Sequence, residues 1–197
     1  HRRYRGNIGG QVAAQTHDKR ALRSRQALLS AFFGLVLERR YDEIKVDDVV
    51  ARAGVSRSTF YEHFKGKDDL LALSIRYPFA SLANAVRRAD NVAELTMVLQ
   101  HFWEHRAIAR GIFSGAVRRK TIAVLIELVD ERLRAEADAM PNSLIIPRKL
   151  VAIQLAESLL APTTAWLAGE SECSAEALAV ALRRIVAASI ASVSRRA

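Results

Sequence analysis

Residues 46–64 (VDDVVARAGVSRSTFYEHF) concentrate the side chains suited to meeting an anionic polymer. Arg57 carries a planar guanidinium whose paired N–H donors match the O6 and N7 acceptors of guanine, and the Ser58 and Thr59 hydroxyls can bond to bases or phosphates. Lys65 and Lys67 follow at once and set two ammonium groups where a phosphate backbone would pass. Such groups read DNA only on a scaffold that holds them together. The spacing predicts two short helices joined at Gly54, which tolerates the positive φ of a tight corner. Val49, Val55, Phe60 and Phe64 recur at intervals that pack both helices against a preceding one, and Ser56 is placed to cap the second. Arg57, Ser58, Tyr61 and Glu62 then face outward near the N-terminus of that helix, the end by which a recognition helix meets base edges.

The flanking sequence is helical in pattern. Prolines are confined to Pro78, Pro141, Pro147 and Pro162, and no run alternates apolar and polar residues over a strand's length. Thr16 is expected to cap a first helix with Leu22, Leu29, Phe32, Phe33 and Val36 on one face, ending near residues 38–40. A fourth helix starts after Gly66, with Asp68 and Asp69 at its positive end. The composition changes around Arg76-Tyr77-Pro78, which predicts a break. Longer helices are expected at 79–89, 92–105, 107–139 with an interruption near Gly115, 147–168 and 174–193. The fold class is all-α: an N-terminal three-helix helix-turn-helix DNA-binding domain over 16–77 and a larger C-terminal helical domain over 78–197. Residues 1–15, with Arg2, Arg3, Arg5 and Gly6, Gly9, Gly10, are expected to form a flexible basic arm.

Composition narrows the partners. The 197 residues include 30 Lys and Arg against 21 Asp and Glu, a net charge of +9, which calls for an anionic partner. The single cysteine, Cys173, has no internal disulfide partner and suits a reducing, cytoplasmic setting. No stretch approaches about eighteen uninterrupted apolar residues, and the best candidate, 121–129, is cut by Glu127, so no membrane partner is expected. The basic N-terminus lacks an apolar signal core, and the chain opens on His1 rather than Met, so its natural start is expected upstream.

The segment from about Arg20 to Leu71 resembles the TetR family of bacterial transcriptional repressors. The resemblance is carried by Tyr41-Asp42-Glu43-Ile44, Ala53-Gly54-Val55-Ser56, Ser58-Thr59-Phe60-Tyr61, His63-Phe64 and Lys65-Gly66-Lys67-Asp68-Asp69-Leu70-Leu71, in register and without gaps. It implies a homodimer that binds palindromic double-stranded operator DNA and releases it when a small apolar molecule enters the second domain. It also implies that Arg57, Ser58 and Thr59 approach bases while Tyr61, His63 and Lys67 hold phosphates. Two positions depart from the family pattern. Lys45 replaces a customary Ser or Thr before the second helix, losing a hydroxyl cap but keeping a charge for phosphate, and Val50 replaces a customary Ala.

Beyond residue 78 the signals concern assembly and a ligand. Residues 174–193 are apolar nearly all round apart from Arg183 and Arg184, and 147–168 carries Leu150, Ile153, Leu155, Leu159 and Leu160. These last two helices are expected to form the four-helix interface of a homodimer. Met97, His101, Trp103, Phe113 and Trp166 are candidates to line an apolar ligand pocket, with Thr163 and Thr164 as polar handles. Pro162 is expected to kink its helix. His101 and His105, four residues apart, face one side of a helix, but no third metal ligand is evident, so a metal is not expected. An enzyme is the competing class, yet no phosphate loop, nucleophile elbow, triad or cofactor signature is present. A DNA-binding dimer without a small-molecule inducer is the other alternative.

Overall fold

The computed structural model describes residues 8–87, 92–137 and 144–194. Contacts gather into two units, one up to Leu70 and one from Leu71 onward.

The first unit contains α1 (Ile8–Glu38), α2 (Val46–Ala53), α3 (Arg57–His63) and the first turn of α4 (Lys67–Ala83). Its core joins Leu28, Phe32 and Leu35 of α1 to Tyr41, Ile44, Val49, Phe60, Phe64 and Leu70, all buried. Phe32 meets Tyr41 edge-on at 6.2 Å and Phe60 meets Phe64 at 5.7 Å, arrangements that suit the ring quadrupoles. α1 begins at Ile8, so Thr16 lies inside it rather than capping it, and residues 8–15 are its opening turns instead of an arm. Extending a nucleated helix costs little per residue, which lets α1 run back past the expected start. The arm's residues 1–7 lie outside the described residues. Leu22, expected on the buried face, is exposed, because α2 and α3 cover α1 only further along, at Leu28, Ala31, Phe32, Leu35 and Val36.

Gly54 ends α2 in the left-handed region, at φ 64° and ψ 32°, and its N–H reaches the Val50 and Ala51 carbonyls. The corner is thus a left-handed helix cap of the kind that favours glycine.

In the second unit, α4 runs through Pro78 to Ala83 without the expected break. Proline lacks the N–H that would bond the carbonyl of Ser74, but Ile75, Phe79 and Leu82 are buried on the same helix, and that burial outweighs the lost bond. The sequence boundary near residue 77 therefore falls inside a helix. After a 3-10 turn at Asn84–Val86 come α5 (Val92–Glu104), α6 (Arg106–Phe113), α7 (Arg118–Ala137), α8 (Arg148–Ala168) and α9 (Ala175–Val193). The interruption between α6 and α7 falls at Gly115, whose φ is 63°. There the buried Thr121 hydroxyl donates to the Ile112 carbonyl at 2.7 Å.

α8 sits between α7 and α9 and buries Val151, Leu155, Leu159, Leu160 and Trp166. By length and composition it could cross a membrane, against the expectation that no segment would, but 50% of its apolar window is buried inside the unit. Pro162 lies within it, and on the following turn the Thr163 and Thr164 hydroxyls donate to the Leu159 and Leu160 carbonyls at 2.7 and 2.8 Å. α8 and α9 are tied at both ends. Trp166 Nε1 donates to the Cys173 carbonyl at 3.0 Å, and Leu144 pairs with Ser194 as an isolated antiparallel bridge.

A Cβ built on Gly54 meets nothing within 4 Å, so the only cost of Gly54→Ala is conformational. Urea unfolding is expected to show a loss of about 1–2 kcal/mol, while Gly66→Ala, equally open but without a positive φ, shows none of that strain.

Candidate nucleic-acid interface

α3, the candidate recognition helix, is positioned by local chemistry at each of its ends. Ser56 accepts the Thr59 N–H at 3.1 Å and so caps α3, as its spacing predicted. Its hydroxyl also meets those of Ser58 and Thr59, at 2.8 and 2.9 Å, gathering three hydroxyls at the positive end of the helix. Phe60 and Phe64 are buried in the core, which turns Arg57, Ser58 and Tyr61 outward. Tyr61 packs edge-on against Phe60 at 5.3 Å, so its exposed phenol is held at a fixed angle.

Arg57 is solvent-exposed and its guanidinium lies 3.1 Å from the Asp47 carboxylate, an ion pair between α3 and α2. Exposed pairs of this kind are worth at most about 1 kcal/mol, so the guanidinium is aimed without being locked. Lys45 precedes α2 and cannot accept a capping bond. The Asp48 carboxylate takes over by accepting the Lys45 N–H at 2.8 Å, and Arg39 sits 3.3 Å from it. That N–H bond first, and the Arg39 guanidinium with it, hold the Asp48 carboxyl below its ordinary value of 3.8. Its contribution is present above that value and is lost as pH falls through the lowered pKa. Lys45 and Lys65 both extend exposed side chains.

Two residues expected on phosphates are placed differently. Lys67 turns inward, where its ammonium donates to the Tyr41 and Ile44 carbonyls at 2.8 Å each and to the Asp42 carbonyl at 3.4 Å. It also lies 4.5 Å from the centre of the Tyr41 ring. An ammonium has three protons, and here all three have acceptors. The Tyr41 hydroxyl donates to Asp68, and burial followed by that carboxylate pushes its pKa far up. His63 is half-buried, and its Nε2 is screened from solvent without a hydrogen bond to the described residues. Asp47 and Asp48 carried no sequence signal as partners of Arg57 and Arg39, because an ion pair between elements has no fixed spacing.

The residues expected around a ligand do not converge on one cavity. Phe113 is core, 5.3 Å from Phe79 and 5.1 Å from Phe102. Thr163 is fully buried and its hydroxyl is occupied on its own helix. Met97 is 63% exposed. Trp103 and Trp166 do meet, with ring centres 4.8 Å apart, beside a groove of about 520 Å³ that Gln100, Glu104 and Cys173 also line. His101 stands at the surface with Glu104 and His105.

Residues 28–73 match the family described as "Bacterial regulatory proteins, tetR family". The chain is 35% identical over 109 residues to the HTH-type transcriptional regulator EthR of Mycolicibacterium smegmatis, covering 51% of this chain and 47% of that protein. It is 28% identical over 98 residues to the HTH-type dhaKLM operon transcriptional activator DhaS of Lactococcus lactis, covering 48% and 51%. The chain thus spans no more than about half the length of the curated relatives it matches. A crystal structure of a TetR transcriptional regulator from Streptococcus agalactiae superposes with a TM-score of 0.57 at 25% identity, over 88% of this chain and 98% of that one.

The inward ammonium predicts a stability effect. Lys67→Ala leaves carbonyls of a half-buried cluster without their charged donor and is expected to cost about 1.5–3 kcal/mol in urea unfolding. Lys65→Ala, at an exposed site, is expected to change stability by no more than about 0.5 kcal/mol. Equal midpoints for the two variants would put the Lys67 side chain back in solvent.

Proposed function

We propose that this chain, whose N-terminal domain belongs to the tetR family of bacterial regulatory proteins, is a ligand-responsive transcriptional repressor that binds palindromic operator DNA as a homodimer in the cytoplasm. The observation that carries this reading is the outward face of α3, where Arg57, Ser58 and Tyr61 stand exposed on a helix fixed by Gly54, Ser56 and the Phe60–Phe64 core. Arg57 is the base reader. Ser58 and Thr59 contribute hydroxyls at the positive helix end, and Lys45, Tyr61 and Lys65 hold phosphates on either side. Its matched relatives are transcriptional regulators, so we read it as a regulator and not an enzyme.

Dimerisation through α8 and α9 is supported by apolar side chains that the unit leaves in solvent: Leu150 and Ile153 on α8, and Ile185 on α9 beside Ala177 and Ala181. Large exposed aliphatics along two adjacent helices are what an isologous four-helix interface requires. A two-fold axis then sets two recognition helices about one DNA turn, roughly 34 Å, apart, which demands a palindrome. The ligand is a small apolar molecule taken up beside Trp103 and Trp166, where the groove volume falls within the range of small-molecule sites. Its leverage on DNA affinity equals its preference for one of two conformations.

With an operator recovered by selection from random duplexes, Arg57→Ala is expected to lose about 1–3 kcal/mol of binding and to relax preference at one position. Lys65→Ala is expected to weaken all sequences alike and flatten the salt slope by about one. A random-sequence selection that enriches nothing sinks the proposal. For assembly, Ile153→Glu combined with Ile185→Glu is expected to give monomers by light scattering, since both positions are exposed within one chain and only a partner would bury the new charges. An unchanged dimer would place the interface elsewhere.

A further inference from the structure

We propose that His101, Glu104 and His105 form a binding site for a zinc-class divalent metal ion at the C-terminal end of α5. The inference is independent of the DNA-binding reading. The three side chains occupy positions i, i+3 and i+4, with His105 just past the last residue of α5 and its N–H still bonded to the His101 carbonyl at 3.1 Å, and their ligand atoms all lie within 4.8 Å of one another. The imidazole centres are 4.5 Å apart.

The tautomer is set by the backbone. His105 Nδ1 lies 3.0 Å from the His101 carbonyl oxygen, and a carbonyl oxygen has no proton, so Nδ1 is the donor in this contact. A neutral ring that gives its Nδ1 proton keeps a lone pair on Nε2, the atom left for a metal. Metal-bound histidines are oriented by this kind of second bond. Glu104 brings a full negative charge to the pair of imidazoles, which favours a cation. The adjacent cation, Arg106, is drawn over the Trp103 ring at 5.3 Å.

Around a tetrahedral zinc with bonds of about 2.1 Å, neighbouring donors stand about 3.4 Å apart. All three side chains are exposed, so small rotations about their own bonds close the triad without disturbing packing. Two imidazoles and one carboxylate suit zinc, nickel and copper, whereas magnesium and calcium favour oxygen shells. Three protein ligands leave the remaining positions to water or an incoming group, and Glu104 also lines the groove beside Trp103 and Trp166.

Zn²⁺ titrated calorimetrically into the chelator-stripped full chain near neutral pH is expected to fill one site per chain and give no comparable heat with Mg²⁺. His101→Gln and His105→Gln are each expected to lose at least about tenfold in affinity, as losses even around a ligand shell reach that size. Glu104→Gln is expected to weaken binding, and His17→Gln and His63→Gln to leave it unchanged. Cu²⁺ should quench Trp103 fluorescence in the wild type and not in the His101→Gln, His105→Gln double variant, whose helicity by circular dichroism checks its fold. Wild-type Zn²⁺ affinity in that double variant, or no saturable heat from the unaltered chain, overturns the proposal.

Discussion

The first unit depends on one ammonium group. Lys67 opens α4, yet its charge is spent on the carbonyls of the turn before α2, so the start of one helix is bonded to the approach of another more than twenty residues earlier. The Tyr41 carbonyl also accepts the Ile44 N–H at 3.2 Å, so the ammonium adds a charged second donor there while it bonds the Ile44 carbonyl directly. The Tyr41 ring lies beneath the same ammonium and carries its hydroxyl to Asp68, so charge, ring and carboxylate make one cluster. Beside this turn, Ile44 and Val49 enter the core that buries Phe60 and Phe64. The outward face of α3 is the remainder of that packing.

How much of this was legible depends on the range of the interaction. Short-range rules carried well. Gly54 takes the left-handed corner, Ser56 caps α3, Gly115 interrupts α6 and α7, and α5, α8 and α9 lie within a residue or two of their expected limits. Each of these follows from backbone geometry or from periodicity within one element. The direction of Lys67 depends on carbonyls far away in sequence, and a lysine after a glycine looks the same whether it meets phosphate or backbone. Pro78 misled for a related reason: its local preference is to end a helix, and buried neighbours override it.

The second unit shows the same limit. Aromatic residues cluster there as expected, but periodicity alone could not separate Phe113, which completes a three-ring core with Phe79 and Phe102, from Trp103 and Trp166, which stack beside a groove. Thr163 and Thr164 looked like handles for a ligand because hydroxyls on an apolar helix need acceptors. Their acceptors are the carbonyls one turn back. Glu104 drew no attention beside the i, i+4 histidine pair, and its value emerges from the placement of its carboxylate against both imidazoles.

α8 and α9 form a hairpin fastened at both ends, by Trp166 on the Cys173 carbonyl at the loop and by the Leu144–Ser194 bridge where the chain leaves α9. Sliding one helix along the other would have to disturb both fastenings at once, so axial slip of the hairpin is opposed at its loop and at its open end together.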